Sequence, residues 1–375
     1  MKKVVIAIDS FKGCLPSAEA GKAAAEGIRS VYPECEVICL PIADGGEGML
    51  DVLIMATNGQ EVPISAHDPL MKWRNTYYGI SENGETAFIE MASISGLPLV
   101  PPERRNPMLT TTYGTGEIIR DALERGCRNF IIGIGGSATN DAGLGMLQAL
   151  GFRFSDKEGK EVGTGRGEVL IKVAHIDSTF VHPALNSCRF TVACDVQSPF
   201  YGPEGAAYVF APQKGADREM VEALDAGLQN FAEVIRHTTG KDISHHPGAG
   251  AAGGMGGSLL AFLNAELKPG IQLMLEALDF SNKIKSADLI ITGEGKADRQ
   301  TLMGKVPSGI LAEARKQNIP VILLAGNIED SDELQQAGFE GVFSVNPPFI
   351  SLEETMRPEV ARKNIQQTVE SICKK

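Results

Sequence analysis

The sequence lacks any long apolar run, because no stretch approaches the roughly 18 consecutive apolar residues of a membrane-spanning helix. The apolar run at residues 4–8 is also too short to be the core of a signal peptide. The seven cysteines are odd in number and widely spaced, and they form no Cys-x-x-Cys pair. These absences predict a cytoplasmic protein with reduced thiols and no membrane partner.

Positive charge is scarce as well. Lysine and arginine number 35 against 47 aspartate and glutamate residues, which gives a formal net charge of −12. A protein that binds nucleic acid needs a basic face, so nucleic acid is not an expected partner. The phosphate-loop motif Gly-x4-Gly-Lys-Ser/Thr is also absent, which excludes a P-loop NTPase.

The remaining composition is that of an ordinary globular enzyme, with 43% hydrophobic and 22% charged residues in a chain of 375. A single core stops growing near roughly 250–300 residues, so two domains are expected. The 42 glycines cluster in particular loops. Such loops allow the backbone to approach a ligand closely or to adopt positive φ.

Apolar runs alternate with helical patterns at both ends of the chain, which predicts a parallel sheet. Ser17 is the predicted N-cap of the first helix. Strands are predicted at residues 4–8, 37–40, 288–292, 321–324 and 342–345. The predicted fold class is therefore α/β with two domains. One is a Rossmann-like domain built from both termini, residues 1–70 and 284–375, and the other is an α/β domain, residues 71–283, inserted in the middle.

Two polar loops near the N-terminus are candidates for a binding site, because ligands of open α/β sheets bind at the carboxyl ends of strands. The first places Asp9, Ser10 and Lys12 directly after the first strand. The second, residues 44–48 with the sequence Asp-Gly-Gly-Glu-Gly, opens a helix whose amides can bind an anion. Two carboxylates beside those amides predict that Mg²⁺ accompanies a phosphate. The simpler interpretations are an exposed loop and a tight turn with acidic capping.

A third glycine-rich loop, residues 133–141, lies between a predicted strand and a predicted helix. Its Gly-x-Gly-x-x-Ala spacing matches the dinucleotide fingerprint, and Asp156 follows at about the distance of the ribose-binding carboxylate. An NAD-dependent hydroxy-acid dehydrogenase is therefore an alternative to a phosphate-binding enzyme. Against it, Asn140 and Asp141 crowd the phosphate end of the loop.

Further carboxylates and lysines lie in later loops. Asp195 ends a predicted strand, where a carboxylate can accept a hydroxyl proton, hold Mg²⁺ or only cap a helix. Lys214 lies in a glycine-containing segment and is a candidate for binding phosphate. The predicted loop at residues 293–304 adds acids and a hydroxyl, namely Glu294, Asp298 and Thr301.

Six motifs together resemble those of the type I glycerate kinase family. In chain order they are Asp9-Ser10-Phe11-Lys12-Gly13, Pro41-Ile42-Ala43-Asp44-Gly45-Gly46-Glu47-Gly48, Thr112-Tyr113-Gly114-Thr115-Gly116-Glu117, Gly135-Gly136-Ser137-Ala138-Thr139-Asn140-Asp141, Ala211-Pro212-Gln213-Lys214-Gly215, and Thr292-Gly293-Glu294-Gly295 with Asp298-Arg299-Gln300-Thr301. The resemblance implies phosphorylation of glycerate to 2-phosphoglycerate with ATP and Mg²⁺. It also implies a site between a Rossmann-like domain and an inserted domain.

Phosphoryl transfer requires positioning and charge neutralisation more than covalent chemistry. The predicted base is Asp195, with Asp298 second, and Lys12 is the predicted catalytic cation. The predicted substrate- and phosphate-binding residues are Asp9, Ser10, Gly45, Gly46, Gly135, Gly136, Ser137, Asn140, Lys214 and Thr301. The predicted Mg²⁺ ligands are Asp44, Glu47 and Glu294. A non-catalytic metabolite-binding protein is the second alternative, and a monomer or homodimer is expected.

Overall fold

A computed structural model describes residues 1–46, 48–348 and 350–374. The strands are β1 Lys3–Ile8, β2 Glu36–Cys39, β3 Gln60–His67, β4 Trp73–Ile80, β5 Thr86–Glu90, β6 Asn129–Gly133, β7 Arg153–Ser155, β8 His175–Asp177, β9 Arg189–Ala193, β10 Glu266–Lys268, β11 Leu289–Ala297, β12 Val321–Ile328 and β13 Gly341–Ser344. The helices are α1 Ser17–Val31, α2 Met49–Ala56, α3 Ala92–Ser95, α4 Tyr113–Glu124, α5 Leu144–Ala149, α6 Ala206–Phe210, α7 Arg218–Thr239, α8 Met255–Phe262, α9 Gly270–Ala277, α10 Phe280–Lys283, α11 Val306–Arg315, α12 Ser331–Gln336, α13 Leu352–Thr355 and α14 Pro358–Cys373.

The chain divides into two compact units. The first unit is Met1–Asp44 with Ile271–Lys375, and the second unit is Gly45–Gly270. These bounds differ from the predicted boundaries near residues 70 and 283. The difference at the first boundary arises because α2 packs against β4 and β5 of the second unit.

The first unit contains a five-stranded sheet in the order β13-β12-β11-β1-β2, and every pairing in it is parallel. The apolar residues of β1 are at most 1% exposed, as expected for a strand that helices cover on both faces. The predicted α/β class and the parallel sheet built from both ends of the chain are confirmed. The strand order reverses between β1 and β11, and ligands bind at such switch points.

The sequence predicted Ser17 as the N-cap of α1, and this prediction is wrong. Pro16 is the N-cap, and Ser17 is the first helical residue. The Ser17 hydroxyl instead donates to Ile8 O at 2.6 Å and accepts from Ile42 N at 2.9 Å. This buried hydroxyl therefore ties the end of β1 to the segment that precedes Asp44.

Strand β11 is longer than predicted, and residues 293–297 belong to it rather than to a loop. It pairs with β12 as far as Ala297, opposite Ile328. A side chain at Gly293 would lie 2.5 Å from Leu324 O, so this glycine serves close strand packing instead of a turn.

The second unit contains a six-stranded sheet in the order β10-β9-β6-β5-β4-β3. Strands β5, β6, β9 and β10 are parallel, whereas β4 is antiparallel to both of its neighbours. The Phe130 and Phe190 rings stack 4.6 Å apart within its core. In the described part of the chain, no helix combines the length and apolarity needed to cross a bilayer.

Candidate active-site residues in the two units

A cavity of about 330 Å³ lies in the first unit at the carboxyl ends of β1, β11, β12 and β13; we name it the switch-point pocket. Five predicted site residues line it, namely Asp9, Ser10, Lys12, Asp44 and Glu294. Its position follows from the strand order. The strand after β1 is added on one side of the sheet, and the strands after β11 are added on the other side. The structure therefore brings together residues that are about 280 positions apart in the sequence.

Asp9 is the most perturbed acid in this pocket. Its side chain follows β1 directly and is only 6% exposed. Burial, together with the nearby Asp44 carboxylate, raises the pKa of Asp9 to about 7, against the opposing effects of the Ser10 N–H and of Lys12. Lys12 Nζ lies 3.4 Å from Asp44 Oδ2 and places a cation at the same site.

Glu294 faces a second cation. Its Oε2 lies 3.6 Å from Lys305 Nζ, and its Oε1 is buried with no hydrogen-bond partner among the described residues. Burial raises the pKa of Glu294, and Thr301 and Lys305 oppose that rise. A buried carboxylate oxygen without a donor is costly unless a ligand or ion binds it.

These acids fit the predicted magnesium ion only in combination with a phosphate. No three His, Cys, Asp or Glu side chains converge on one point in residues 1–46, 48–348 and 350–374. Glu47, a predicted ligand, lies outside the described residues. Mg²⁺ is usually held by one or two carboxylates, several waters and substrate phosphates, so Asp44 and Glu294 suit that mode of binding.

Asp298 and Thr301 form a capping box instead of lining the switch-point pocket. Asp298 Oδ1 accepts from Gln300 N at 2.8 Å, and Thr301 Oγ1 accepts from Asp298 N at 2.9 Å. Burial alone would raise the pKa of Asp298, but the Gln300 N–H and the two nearby lysines lower it. The local geometry explains these residues as the start of a helical turn.

The pocket also contains residues that the sequence did not indicate. Lys296 lines it and pairs with Glu329 at 2.9 Å and Asp298 at 3.5 Å. Glu294 and Lys296 are two positions apart on β11, so their side chains share one face of the strand. Because the sequence predicted a loop at residues 293–304, it did not indicate that Glu294 and Lys296 lie on the same face of a strand.

In the second unit, predicted residues gather at the carboxyl ends of β6 and β9. A side chain at Gly45 would lie 2.5 Å from Gly270 Cα and 3.0 Å from Ala193 Cβ, so the backbone at this position approaches β9 closely. Asp195 follows β9, and its Oδ1 accepts from Gly270 N at 2.8 Å. This bond holds the carboxylate in one orientation at the edge of the sheet.

Lys214 lies at the centre of a second group, the Lys214 cluster, which consists of Lys214, Ser137 and Thr139. Its Nζ donates to Ser137 Oγ at 2.8 Å and to Thr139 O at 2.6 Å. The side chain is 2% exposed, and burial lowers the pKa of Lys214 to about 7, although Asp141 opposes this shift. The structure thus brings together two of the predicted phosphate-binding residues, Lys214 and Ser137.

Asn140 and Asp141 are both fully buried beside this cluster. Asp141 accepts hydrogen bonds from Thr112 N, Thr112 Oγ1, Gly143 N and Gly145 N. Asp141 therefore fixes the loop to the start of α4. The side-chain oxygen and nitrogen of Asn140 have no hydrogen-bond partner among the described residues.

The loop at residues 133–141 does not have the geometry of a dinucleotide fingerprint. Its glycines Gly135 and Gly136 are exposed, and the next helix begins only at Leu144. A dinucleotide site needs the glycine-rich turn to enter the helix directly. Asp156 lies in a turn after β7, where its Oδ1 accepts from the N–H groups of Glu158 and Lys160. This local structure argues against the dehydrogenase alternative.

Comparisons with known proteins agree with one another. The model of the glycerate kinase family matches residues 4–375. A glycerate kinase of Bacillus subtilis is 45% identical over 372 residues, which cover 99% of this chain and 97% of that protein. A glycerate 2-kinase of Escherichia coli is 47% identical over 356 residues, which cover 95% and 93%. A crystal structure from Salmonella typhimurium LT2, provisionally named glycerate kinase 2, has a TM-score of 0.91 and 43% identity, and the match covers 100% of this chain and 97% of that chain.

Proposed function

The chain belongs to the glycerate kinase family, and we propose that it transfers the terminal phosphoryl group of ATP to the 2-hydroxyl of glycerate. Phosphorylation of glycerate rests on the match of nearly the whole chain to named glycerate kinases. The 2-position is supported by the printed name of the Escherichia coli relative. ATP is the donor that best suits a pocket with both lysines and carboxylates.

In the switch-point pocket, Lys12 and Lys305 neutralise the phosphate charge of the donor. Asp44 and Glu294 supply carboxylate oxygens for Mg²⁺, which when bound neutralises charge on the phosphate oxygens. The buried Oε1 of Glu294, which has no hydrogen-bond partner among the described residues, is the observation that supports this assignment. Asp9 and Ser10 complete the wall of the pocket after β1.

In the second unit, Asp195 takes the hydroxyl proton of glycerate. The Gly270 N–H holds one of its carboxylate oxygens, so the base is oriented before substrate binds. The N–H groups of Gly135 and Gly136 and the Ser137 hydroxyl are donors to the anionic substrate. The buried Lys214 side chain donates a hydrogen bond to the Ser137 hydroxyl oxygen and so positions that hydroxyl group. We assign both groups of residues to one reaction.

A coupled assay of ADP release with D-glycerate tests the reaction. We expect turnover that requires ATP, Mg²⁺ and glycerate together, and ³¹P NMR of the product should show 2-phosphoglycerate. Accumulation of 3-phosphoglycerate would contradict the assigned position. Absence of ADP release with glycerate, or reduction of NAD by glycerate, would overturn the proposed function itself.

A further inference from the structure

The side chains of Ser137 and Lys214 form a hydroxyl–amine pair that the proposed phosphoryl transfer uses only to bind an anion. Ser137 Oγ lies 2.8 Å from Lys214 Nζ, and Nζ also donates to Thr139 O at 2.6 Å. Ser137 is 7% exposed and Lys214 is 2% exposed. The pair is therefore enclosed by the protein, and the amine touches the hydroxyl directly.

The amine of this pair is not held in its charged form. Asp141 is the charged group that acts on Lys214, but its oxygens accept hydrogen bonds from Thr112 and from two loop N–H groups. Burial outweighs this carboxylate and lowers the pKa of Lys214 to about 7. About half of the molecules therefore carry a neutral amine at neutral pH, and its lone pair can accept the Ser137 proton.

Backbone donors lie beside the same hydroxyl. On one side of Ser137, Leu97 N donates to Gly136 O at 2.9 Å. On the other side, Ala138 N donates to a backbone oxygen at 2.9 Å. Between these two bonds, the N–H groups of residues 135–137 donate to no residue that the structure describes. Such N–H groups next to a nucleophile can stabilise the negative oxygen of an acyl-transfer intermediate.

The surface at this turn has room for a small acyl group. A carbon added at Gly135 would meet no described atom within 4 Å beyond its chain neighbours, and both Gly135 and Gly136 are exposed. The Ser137 side chain is largely covered, so a long acyl chain has no space to follow its carbonyl to the hydroxyl. The chemistry that fits is that of an ester with a short acyl group.

We propose that Ser137 is a nucleophile with Lys214 as its base, and that this pair gives the protein a second activity, the hydrolysis of short-chain activated esters. Ser137 Oγ forms a bond to the acyl carbon while its proton passes to Lys214 Nζ. The bond from that carbon to the leaving oxygen then breaks, and the leaving group takes up the proton. Water attacks the acyl-serine next, so the acid is released and Ser137 Oγ regains a proton. This activity goes beyond the proposed kinase reaction and needs residues of the second unit only.

The probe for this activity is p-nitrophenyl acetate. Wild type should release p-nitrophenol, and mass spectrometry of its peptides should find an acetyl group on Ser137. Ser137→Ala should lose that adduct and release p-nitrophenol more slowly by roughly tenfold or more. Ser187→Ala is the matched control and should keep the wild-type rate, because the exposed Ser187 hydroxyl donates to Ala184 O at 2.9 Å and not to an amine. Acetyl groups on other residues only, or equal rates in wild type and Ser137→Ala, would overturn the proposal.

A second substitution tests the base. Lys214→Met should slow the acetylation of Ser137 by about 10²–10⁴-fold, the range for a positioned base. Lys172→Met, at an exposed position of the same unit, should leave that rate unchanged. In wild type the rate should rise with pH and level off above about 7, since only the neutral amine accepts the proton. An unchanged rate in Lys214→Met, or a rate without an inflection near pH 7, would exclude Lys214 as the base.

The outcome does not depend on the folding of a variant or on the kinase reaction. Mapping of the adduct on wild type requires no substitution, so an unfolded variant does not affect it. Phosphorylation of glycerate by a protein whose Ser137 takes up no acetyl group would refute this inference and leave the proposed function intact. Acetylation of Ser137 in a protein that does not phosphorylate glycerate would refute the proposed function and support this inference.

Discussion

Asp9 and Lys214 are buried ionisable groups whose pKa values both lie near 7, shifted in opposite directions. Burial favours the neutral form in each case, so the pKa of the acid is raised and the pKa of the amine is lowered. Active sites commonly contain such groups, because a pKa near the working pH allows a proton to be gained or lost at little cost. The sequence indicated both residues, but only the structure shows that each is enclosed.

The raised pKa of Asp9 predicts a pH-dependent stability. Between its ordinary value of 3.8 and about 7, the folded protein holds a proton that the unfolded chain has lost. The free energy of unfolding therefore falls as pH rises through this window. Asp9→Asn removes the titration, so its stability relative to wild type should grow by about 3 kcal/mol between pH 5 and pH 8.

Chemical denaturation of both proteins at the two pH values measures this effect. The exposed Asp332→Asn is the control and should follow the wild-type profile. Parallel profiles for wild type and Asp9→Asn would show that the Asp9 carboxyl ionises as freely in the folded protein as in the unfolded chain.

Lys214→Met should lower kcat/KM for glycerate by about 10²–10³-fold, the range for loss of a preorganised electrostatic group. The fold should be retained, because methionine fills a similar space and needs no polar partner. Lys172→Met, at an exposed position of the same unit, should keep wild-type kinetics. Steady-state kinetics of wild type and the two variants measures this effect. Wild-type activity of Lys214→Met would show that this lysine does not contribute to the site.

Asp195→Asn should lower kcat by about 10²–10⁴-fold, the range for a positioned base. The asparagine oxygen can still accept from the Gly270 N–H, so the loop should stay in place. Asp156→Asn is a matched control, because Asp156 also accepts backbone N–H bonds through Oδ1. Turnover near the wild-type rate in Asp195→Asn would direct the search for a base to another residue.

Among the elements, those with a simple local pattern were predictable. Strand β1 is a continuous apolar run, and its complete burial follows from helices on both faces of the sheet. Strand β11 was predicted too short, because Gly293 and Gly295 resemble a turn in sequence. They lie in a strand because of the contact with β12, which no local pattern reveals.

The candidate site was predictable to a similar extent. The loops after β1, β6 and β9 were identifiable because polar residues follow apolar runs there. The apolar residues that line the switch-point pocket were not predictable, because Val345, Met356 and Ala361 come from three separate segments near the C-terminus. Only tertiary packing brings these segments to the end of β1.

Gly253 packs against Thr139 and Asn140, in the loop that contributes Ser137 and Thr139 to the Lys214 cluster, and this contact gives a prediction at the scale of an element. Its φ is +66°, and a side chain there would lie 2.1 Å from Thr139 O, the acceptor for Lys214. Gly253→Ala should therefore cost both the strain of positive φ and about 1–3 kcal/mol of overpacking. It should also lower activity by displacing Thr139.

Gly240→Ala is the matched control for this substitution. Gly240 has a φ of +74°, and no atom that the structure describes beyond its chain neighbours lies within 4 Å of the added carbon, so only the strain of about 1 kcal/mol applies. Denaturation midpoints of the two variants isolate the steric contribution. Equal losses of stability in the two variants would mean that the loop at residues 139–140 shifts to accommodate the added carbon without any loss of free energy of unfolding.

On the scale of the whole molecule, the first unit consists of two segments separated by the whole second unit. The sequence predicted this discontinuous arrangement, because the same strand-and-helix pattern occurs at both ends of the chain. Its bounds depend on packing partners that appear later in the chain, as α2 shows by its contacts with β4 and β5. The glycine-rich stretch at residues 44–48 lies at this boundary, but similar glycine-rich loops occur elsewhere in the chain, so it does not by itself mark the boundary.

This arrangement affects how the protein is made. Strand β1 leaves the ribosome first, yet its neighbour β11 starts only at Leu289. At roughly 5–20 residues per second, the nascent chain waits about 15–60 s for that partner. Until then β1 can pair only with β2, and a two-stranded fragment is at best marginally stable in water. The apolar N-terminal strand therefore lacks most of its sheet partners during much of translation, whereas the contiguous second unit can already fold.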